Sequence, residues 1–342
     1  MYVAMMSNTK QSVVFLPLGA IIQEYRVNGI NIVQNFPTAE LYRKYNEPYF
    51  GETIGRVANR ISGARINHLN GRSYQLPANN GPNSLHGGKV GWGKRIFDGP
   101  STVERHGREA TLFKYVSRDG EEGYPGTVEV RVWYMTRTEY EQGFQVNILE
   151  AEYEAELIGN EDVQETAVAV TNHSYFNLGN APTIEGTEVT LSTNLHQVVN
   201  DVDIPIGPIK PFPGIEVDKT FILGPTEPDI DHCFVLNTEP ESIPVDTRGL
   251  PMRKLGTFHH PTTKIHLEVH SSEPAFQFYT GQYIDVPAVG GLPARGKRAG
   301  FCVEPSRYIN AVNVDRWRSM VVLRRGHKYG SRFTYRAWQE GA

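Results

Sequence analysis

Glu304 lies in Phe301-Cys-Val-Glu-Pro305, an apolar run in which a carboxylate is out of place. In an extended chain Cys302 and Glu304 share one face, with Phe301 and Val303 on the other. An unpaired buried carboxylate is costly, so this residue sits either at a wet strand end or in a functional site. His173 closes a second run, Thr166-Ala-Val-Ala-Val-Thr-Asn-His173. Alternation places Val168 and Val170 on one face and Ala167, Ala169, Thr171 and His173 on the other. Small side chains ending in an imidazole leave room for a ligand. A core-facing alanine row, with the histidine satisfied in a turn, explains the same residues.

Three other groupings offer polar contacts. Asn59 and Arg60 fall in Gly55-Arg-Val-Ala-Asn-Arg-Ile61, where a guanidinium fork suits hydroxyl or carboxylate oxygens, or a surface acid. His86 precedes two glycines that let a ligand or another backbone come close, or that simply make a turn. Asp231 opens an Asp-His-Cys-Phe-Val strand as a hydroxyl acceptor or as a strand-entry residue. His266, Glu268 and His270 share a face at period two, a zinc-like set, but the helical H-E-x-x-H pattern is absent and an exposed polar face opposite Ile265, Leu267 and Val269 is the preferred reading. The sequence contains no G-x-S-x-G, phosphate-binding loop or dinucleotide-binding glycine motif.

The elements that must position these residues are strands. Asn28-Gly29 and Asn70-Gly71 stand between alternating apolar residues, a strong hairpin signal. Strand-like runs cover residues 127–134, 144–153, 166–171, 188–191, 264–269, 275–279 and 320–323. The last, followed by Arg-Arg-Gly-His-Lys-Tyr-Gly and the run 332–338, reads as another hairpin. Helical periodicity is confined to a short helix over 38–45. Residues 204–228 hold six prolines and read as a long loop, packed on the body through Ile206, Ile209, Phe212, Ile215 and Phe221. Many strands with no helices between them predict an all-β chain, a large antiparallel β-sandwich, with residues 1–342 as one domain.

Composition excludes several classes. The chain has 342 residues and a formal charge of −4, so no basic excess points to nucleic acid or an anionic membrane. No run of 18 apolar residues predicts a membrane span. Residues 13–22 resemble a short signal core, but Pro17 and Gly19 interrupt them and a hairpin follows, so a first strand is the reading. Two cysteines, Cys233 and Cys302, fit a reduced, cytoplasmic chain.

The order and wording of the motifs resemble the aldose 1-epimerase (galactose mutarotase) family. The residues that carry the resemblance are Tyr49-Phe-Gly51 with Gly55-Arg-Val-Ala-Asn-Arg-Ile61, then Asn83-Ser-Leu-His-Gly-Gly88 and Asn172-His-Ser-Tyr-Phe-Asn-Leu178. Asp231-His232, Phe276-Gln-Phe-Tyr-Thr-Gly281, Cys302-Val-Glu-Pro305 and Ala311-Val-Asn313 complete it. The resemblance implies a galactose mutarotase-like supersandwich with an open sugar groove. It implies Glu304 as general base and His173 as general acid, with His86, Arg60, Asn59, Asp231 and Gln277 holding sugar hydroxyls. Gln277, one strand step from Phe276 and Phe278, would face the groove while they face the core. No cofactor or metal is expected, a free monosaccharide is the expected substrate, and the protein is expected as a monomer or homodimer. The sequence departs from the pattern at Phe97, Ile230, Gln282 and Asn310, which leaves the sugar preference open.

Mutarotation suits such residues. Ring opening removes a proton from the anomeric hydroxyl and delivers one to the ring oxygen, and closure on the other face gives the other anomer. A carboxylate is charged at neutral pH, and a histidine is protonated there with modest help. Competing readings are a glycoside hydrolase using Glu304 and Asp231, a hexose-6-phosphate epimerase, and a non-catalytic sugar-binding module.

Overall fold

A computed structural model describes residues 4–6, 12–160 and 162–341. Among these residues the large sheet has nine strands, in the order Asp98–Arg105, Arg108–Ser117, Val128–Glu141, Phe144–Leu157, Lys328–Gln339, Ile265–Ser271, Arg253–His260, Glu188–Leu191 and Thr220–Ile222. A second sheet of six strands runs Tyr175–Phe176, Phe301–Ser306, Ala275–Tyr279, Asp231–Val235, Leu195–Val199 and Pro205–Pro211. Neighbouring strands in both sheets pair antiparallel. The all-β expectation holds. No helix among the described residues is long and apolar enough to cross a membrane.

Strand alternation decides where the core lies. Val130, Val132, Leu149, Phe258, Leu267, Phe333 and Tyr335 of the large sheet bury together with Phe234, Phe276, Phe278, Phe301 and Val303 of the smaller one. The opposite face of the smaller sheet is divided. At one end Cys233, Val235 and Ala275 pack into a second cluster with Ile61, Tyr308 and Val312. At the other, Tyr175, Tyr279 and Cys302 join Leu18, Ile21, Phe36 and Phe50. Between the two apolar clusters the sheet presents Gln277, Glu304 and Asp231.

Most of the expected elements are present. Asn28-Gly29 turns Ile21–Val27 into Ile30–Asn31, and Asn70-Gly71 turns Arg65–Leu69 into Arg72–Gln75. All four turn residues have positive φ, as such two-residue turns require. Ala39–Tyr45 is helical, with the Thr38 hydroxyl accepting from the Leu41 amide as its N-cap. Val13–Leu16 is a strand as expected, paired with Ile21–Val27, but it is the second in the chain, because Ala4–Met6 precedes it and pairs with its other edge.

Three expectations are corrected. The run 166–171 is not one strand: Glu165–Ala167 pairs with Val322–Arg324, while Thr171–Asn172 pairs with Thr53–Ile54. Its alternation is right, but Ala167 and Ala169 pack in the second cluster and leave no room for a ligand. The end of the chain is not a hairpin, because Val322–Arg324 and Lys328–Gln339 belong to different sheets. The proline-rich segment is not only a loop. Pro205–Pro211 forms an edge of the smaller sheet and Thr220–Ile222 an edge of the large one, so the segment straps one to the other. Proline lacks an amide donor and is tolerated at such edges. Ile209, Phe212, Ile215 and Phe221 do pack on the body, whereas Ile206 is 64% exposed.

Candidate active site

The polar gap on the smaller sheet is the floor of a cleft of about 490 Å³. Glu304, His173, His86, Arg60, Asn59, Asp231 and Gln277 all line it. The cleft therefore gathers the whole set that the sequence named, from six separate segments of chain.

The floor follows from sheet register. Gln277 pairs with Glu304, and Asp231 with Tyr279, so their side chains project from adjacent strands on the same face. Gln277 Nε2 donates to Asp231 Oδ1 at 2.6 Å, and Asn59 Nδ2 donates to Gln277 Oε1 at 3.2 Å. Phe276 and Phe278 point into the main core, which is the orientation expected for this strand.

His173 follows the short strand Thr171–Asn172. Its amide donates to the Glu52 carbonyl, and its carbonyl accepts from the Gly51 amide. The Asn172 side chain donates to the Gly51 carbonyl and accepts from Ser174, locking the turn. The imidazole lies between Tyr175, at 5.0 Å between ring centroids, and Tyr49, at 5.7 Å. Nε2 is 3.6 Å from Glu304 Oε1, and Nδ1 is 3.5 Å from Cys302 Sγ.

Asn59 and His86 form the wall. Both have positive φ, and the His86 amide donates to the Asn59 carbonyl while His86 Nδ1 accepts from the Asn59 amide at 3.2 Å. Gly87 allows this approach: a Cβ there would lie 2.0 Å from the Gly55 carbonyl oxygen. Arg60 is held by Asn80 at 3.0 Å and by Asp203 at 2.9 Å. The other arginine of the motif, Arg56, is buried and structural, donating to Ser117, Thr166 and the Pro125 and Arg118 carbonyls.

Burial sets the protonation. It pushes the Glu304 carboxyl well above the usual carboxylate range; Asp231 adds to that rise, while Arg60 opposes it without prevailing. Burial also lowers His173 to about 3 and holds His86 well below the usual imidazole range, and it raises Asp231. Burial thus favours the neutral imidazole of His173 and the protonated form of Glu304, and works against the charged pair expected from the sequence.

The sequence reading omitted part of the lining. Asp203, Asn80, Glu47, Asp285, Tyr279 and the 82%-exposed Tyr283 also face the cleft. Tyr175 also lines the cleft, whereas Trp92 and Phe176 are core. Asp203 had no legible signal, because its approach to Arg60 depends on how the turn at Asn200 folds back. The zinc-like set on the outer sheet is resolved into separate pairs: His270 lies 3.3 Å from Glu268, and His266 lies 3.0 Å from Glu340.

The family model "Aldose 1-epimerase" matches residues 2–336. The chain is 40% identical to the bifunctional protein GAL10 of Pachysolen tannophilus over 93% of its own length and 44% of that protein's. It thus spans less than half of the bifunctional relatives it matches. It is 36% identical to the galactose mutarotase of Bos taurus, covering 90% of this chain and 84% of that one. A solved GalM/aldose epimerase homologue from C. elegans has the same fold, with a TM-score of 0.80 at 23% identity over 98% of both chains. The chain belongs to the aldose 1-epimerase family.

Proposed function

We propose that this protein interconverts the α and β anomers of free aldohexoses of the galactose and glucose type, acting as an aldose 1-epimerase. The observation that carries the reading is the 3.6 Å approach of His173 Nε2 to Glu304 Oε1 in a cleft of monosaccharide size. Glu304 serves as general base at the anomeric hydroxyl and His173 as general acid at the ring oxygen.

The chemistry closes on itself. A proton moved from Glu304 to His173 leaves a carboxylate and an imidazolium without changing the total. The carboxylate takes the proton of O1 as the imidazolium protonates O5, and the C1–O5 bond breaks to give the aldehyde. Rotation about C1–C2 and the reverse transfers close the other anomer. The pair again holds one proton, so no reset step is needed. Each well-placed group contributes roughly 10²–10⁴ in rate. Asp231, Gln277, Asn59, His86 and Arg60 hold hydroxyls away from C1, which allows both anomers to bind.

Residues 1–342 act as one domain, a reading supported by the main core to which both sheets contribute. A cytoplasmic location suits Cys233 and Cys302, both buried and unpaired. The substrate is a small monosaccharide, and the protein works as a monomer or homodimer. The test is polarimetry of fresh α-galactose and α-glucose. Wild type is expected to speed the decay of rotation; Glu304→Gln and His173→Asn are expected to lose at least about 10² of that rate. Full activity in a folded Glu304→Gln protein would remove the base.

A further inference from the structure

We propose that Cys302, His173 and Glu304 form a binding site for a thiophilic divalent cation of the zinc type, and that the bound ion shuts the cleft. The effect on turnover rests on the reading given above; the binding itself does not.

One ligand atom from each of the three side chains lies within 4.8 Å of the other two. Sγ to Nδ1 is 3.5 Å and Nε2 to Oε1 is 3.6 Å. A tetrahedral zinc ion with bonds of about 2.3 Å to sulfur and about 2.0–2.2 Å to nitrogen and oxygen separates its ligands by roughly 3.3–3.6 Å. The two neighbours face different ring nitrogens, so seating the ion takes a rotation of the imidazole that brings one nitrogen between them. Backbone movement is not required, because Cys302 and Glu304 already project from one face of one strand.

The donor set selects the metal. A thiolate, an imidazole and a carboxylate favour zinc, cobalt and cadmium, whereas calcium and magnesium need oxygen ligands throughout. The thiolate and carboxylate cancel the ion's two charges. Coordination forms S–M, N–M and O–M bonds, and the thiol and carboxyl protons pass to water; no electron moves. Glu304 and His173 line the cleft and Cys302 stands behind them, so the ion enters through the cleft and its fourth position faces the sugar space. The thiol has no part in the proton transfers, but the ion takes the two groups that do. Among the described residues this is the only group of three such ligands at that spacing.

The experiment uses the chelator-treated full chain and cobalt as the spectroscopic probe. Cobalt is expected to bind with a near-ultraviolet thiolate-to-metal band that zinc abolishes by displacement. The band should vanish in Cys302→Ser and persist in Cys233→Ser, whose buried thiol lies elsewhere in the sheet. In parallel, zinc should inhibit mutarotation competitively with sugar and reversibly with chelator. Whatever chelator-treated rate Cys302→Ser retains, it should need at least about tenfold more zinc than wild type for half-inhibition. Should Cys302→Ser not fold, zinc protection of wild-type Cys302 against alkylation by a permeating thiol reagent reads the same contact. Absence of the thiolate band in wild type, or its survival in Cys302→Ser, overturns the site; unprotected alkylation does the same. The cobalt spectrum decides this even in a protein that proves inactive on every sugar tried.

Discussion

Replacing His173 by Asn should flatten the protein's loss of stability in mild acid. The folded chain holds this imidazole at about 3, against an ordinary value of 6.5, because burial disfavours its charged form. The unfolded chain therefore binds a proton on His173 at a pH where the folded chain does not. Stability from this residue is complete above pH 6.5 and is lost as pH falls toward 3. Each pKa unit is worth about 1.4 kcal/mol, so the full loss is about 5 kcal/mol. Between pH 7 and pH 5, integrating the unfolded-state protonation gives about 2 kcal/mol. The assay is urea unfolding of wild type and His173→Asn at both pH values. The cavity and lost contacts in the variant cost the same at each pH and cancel in the comparison. Wild type should fall by about 2 kcal/mol more than the variant between pH 7 and 5. Equal falls in the two proteins would refute the neutral imidazole. A smaller fall in wild type would indicate that His173 is an imidazolium paired with a Glu304 carboxylate.

Glu304→Gln should raise the melting temperature at neutral pH while removing most activity. The raised carboxyl pKa means that folding favours the protonated form, a contribution lost as pH rises above the ordinary 4.5 and which a neutral amide retains. The stabilisation should shrink below pH 4; a uniformly destabilised variant in thermal melts would contradict this. Asp203→Ala should leave kcat within about threefold and change KM for galactose by a larger factor, since it frees one edge of Arg60 without touching the proton-transfer pair. An unchanged KM would show that Arg60 needs no partner there. Gly87→Ala should cost more than about 2 kcal/mol in denaturant unfolding, because its φ is +83° and the added Cβ meets the Gly55 carbonyl. A near-neutral effect would mean that the His86 turn relaxes freely.

Much of this fold and cleft was legible because local rules and tertiary packing agree. The two Asn-Gly turns specify hairpins on their own, and the Gln277 strand alternates between core and cleft as its period requires. The set of seven cleft residues came from motif wording, since no spacing in the chain reveals that positions 59, 86, 173 and 304 meet. What remained hidden is non-local. The run 166–171 alternates correctly, yet its two ends pair with different partners, and periodicity carries no information about partners. The bias of His173 and Glu304 toward their uncharged forms was not legible because it comes from desolvation, which arises only once the tyrosines and the sheet close around them. Asp203 stayed invisible because its role exists only through a contact with a residue 143 positions earlier.

Open margins of β structure are where one molecule can template another, since their unpaired amides invite a foreign chain. Prolines at 205, 208 and 211 remove such donors along one margin of the smaller sheet. The same stretch of polypeptide then caps a margin of the large sheet with only three residues. A single crossing segment thereby blunts two potential aggregation fronts, and cutting it near Gly214 should make the protein prone to self-association before it loses its fold.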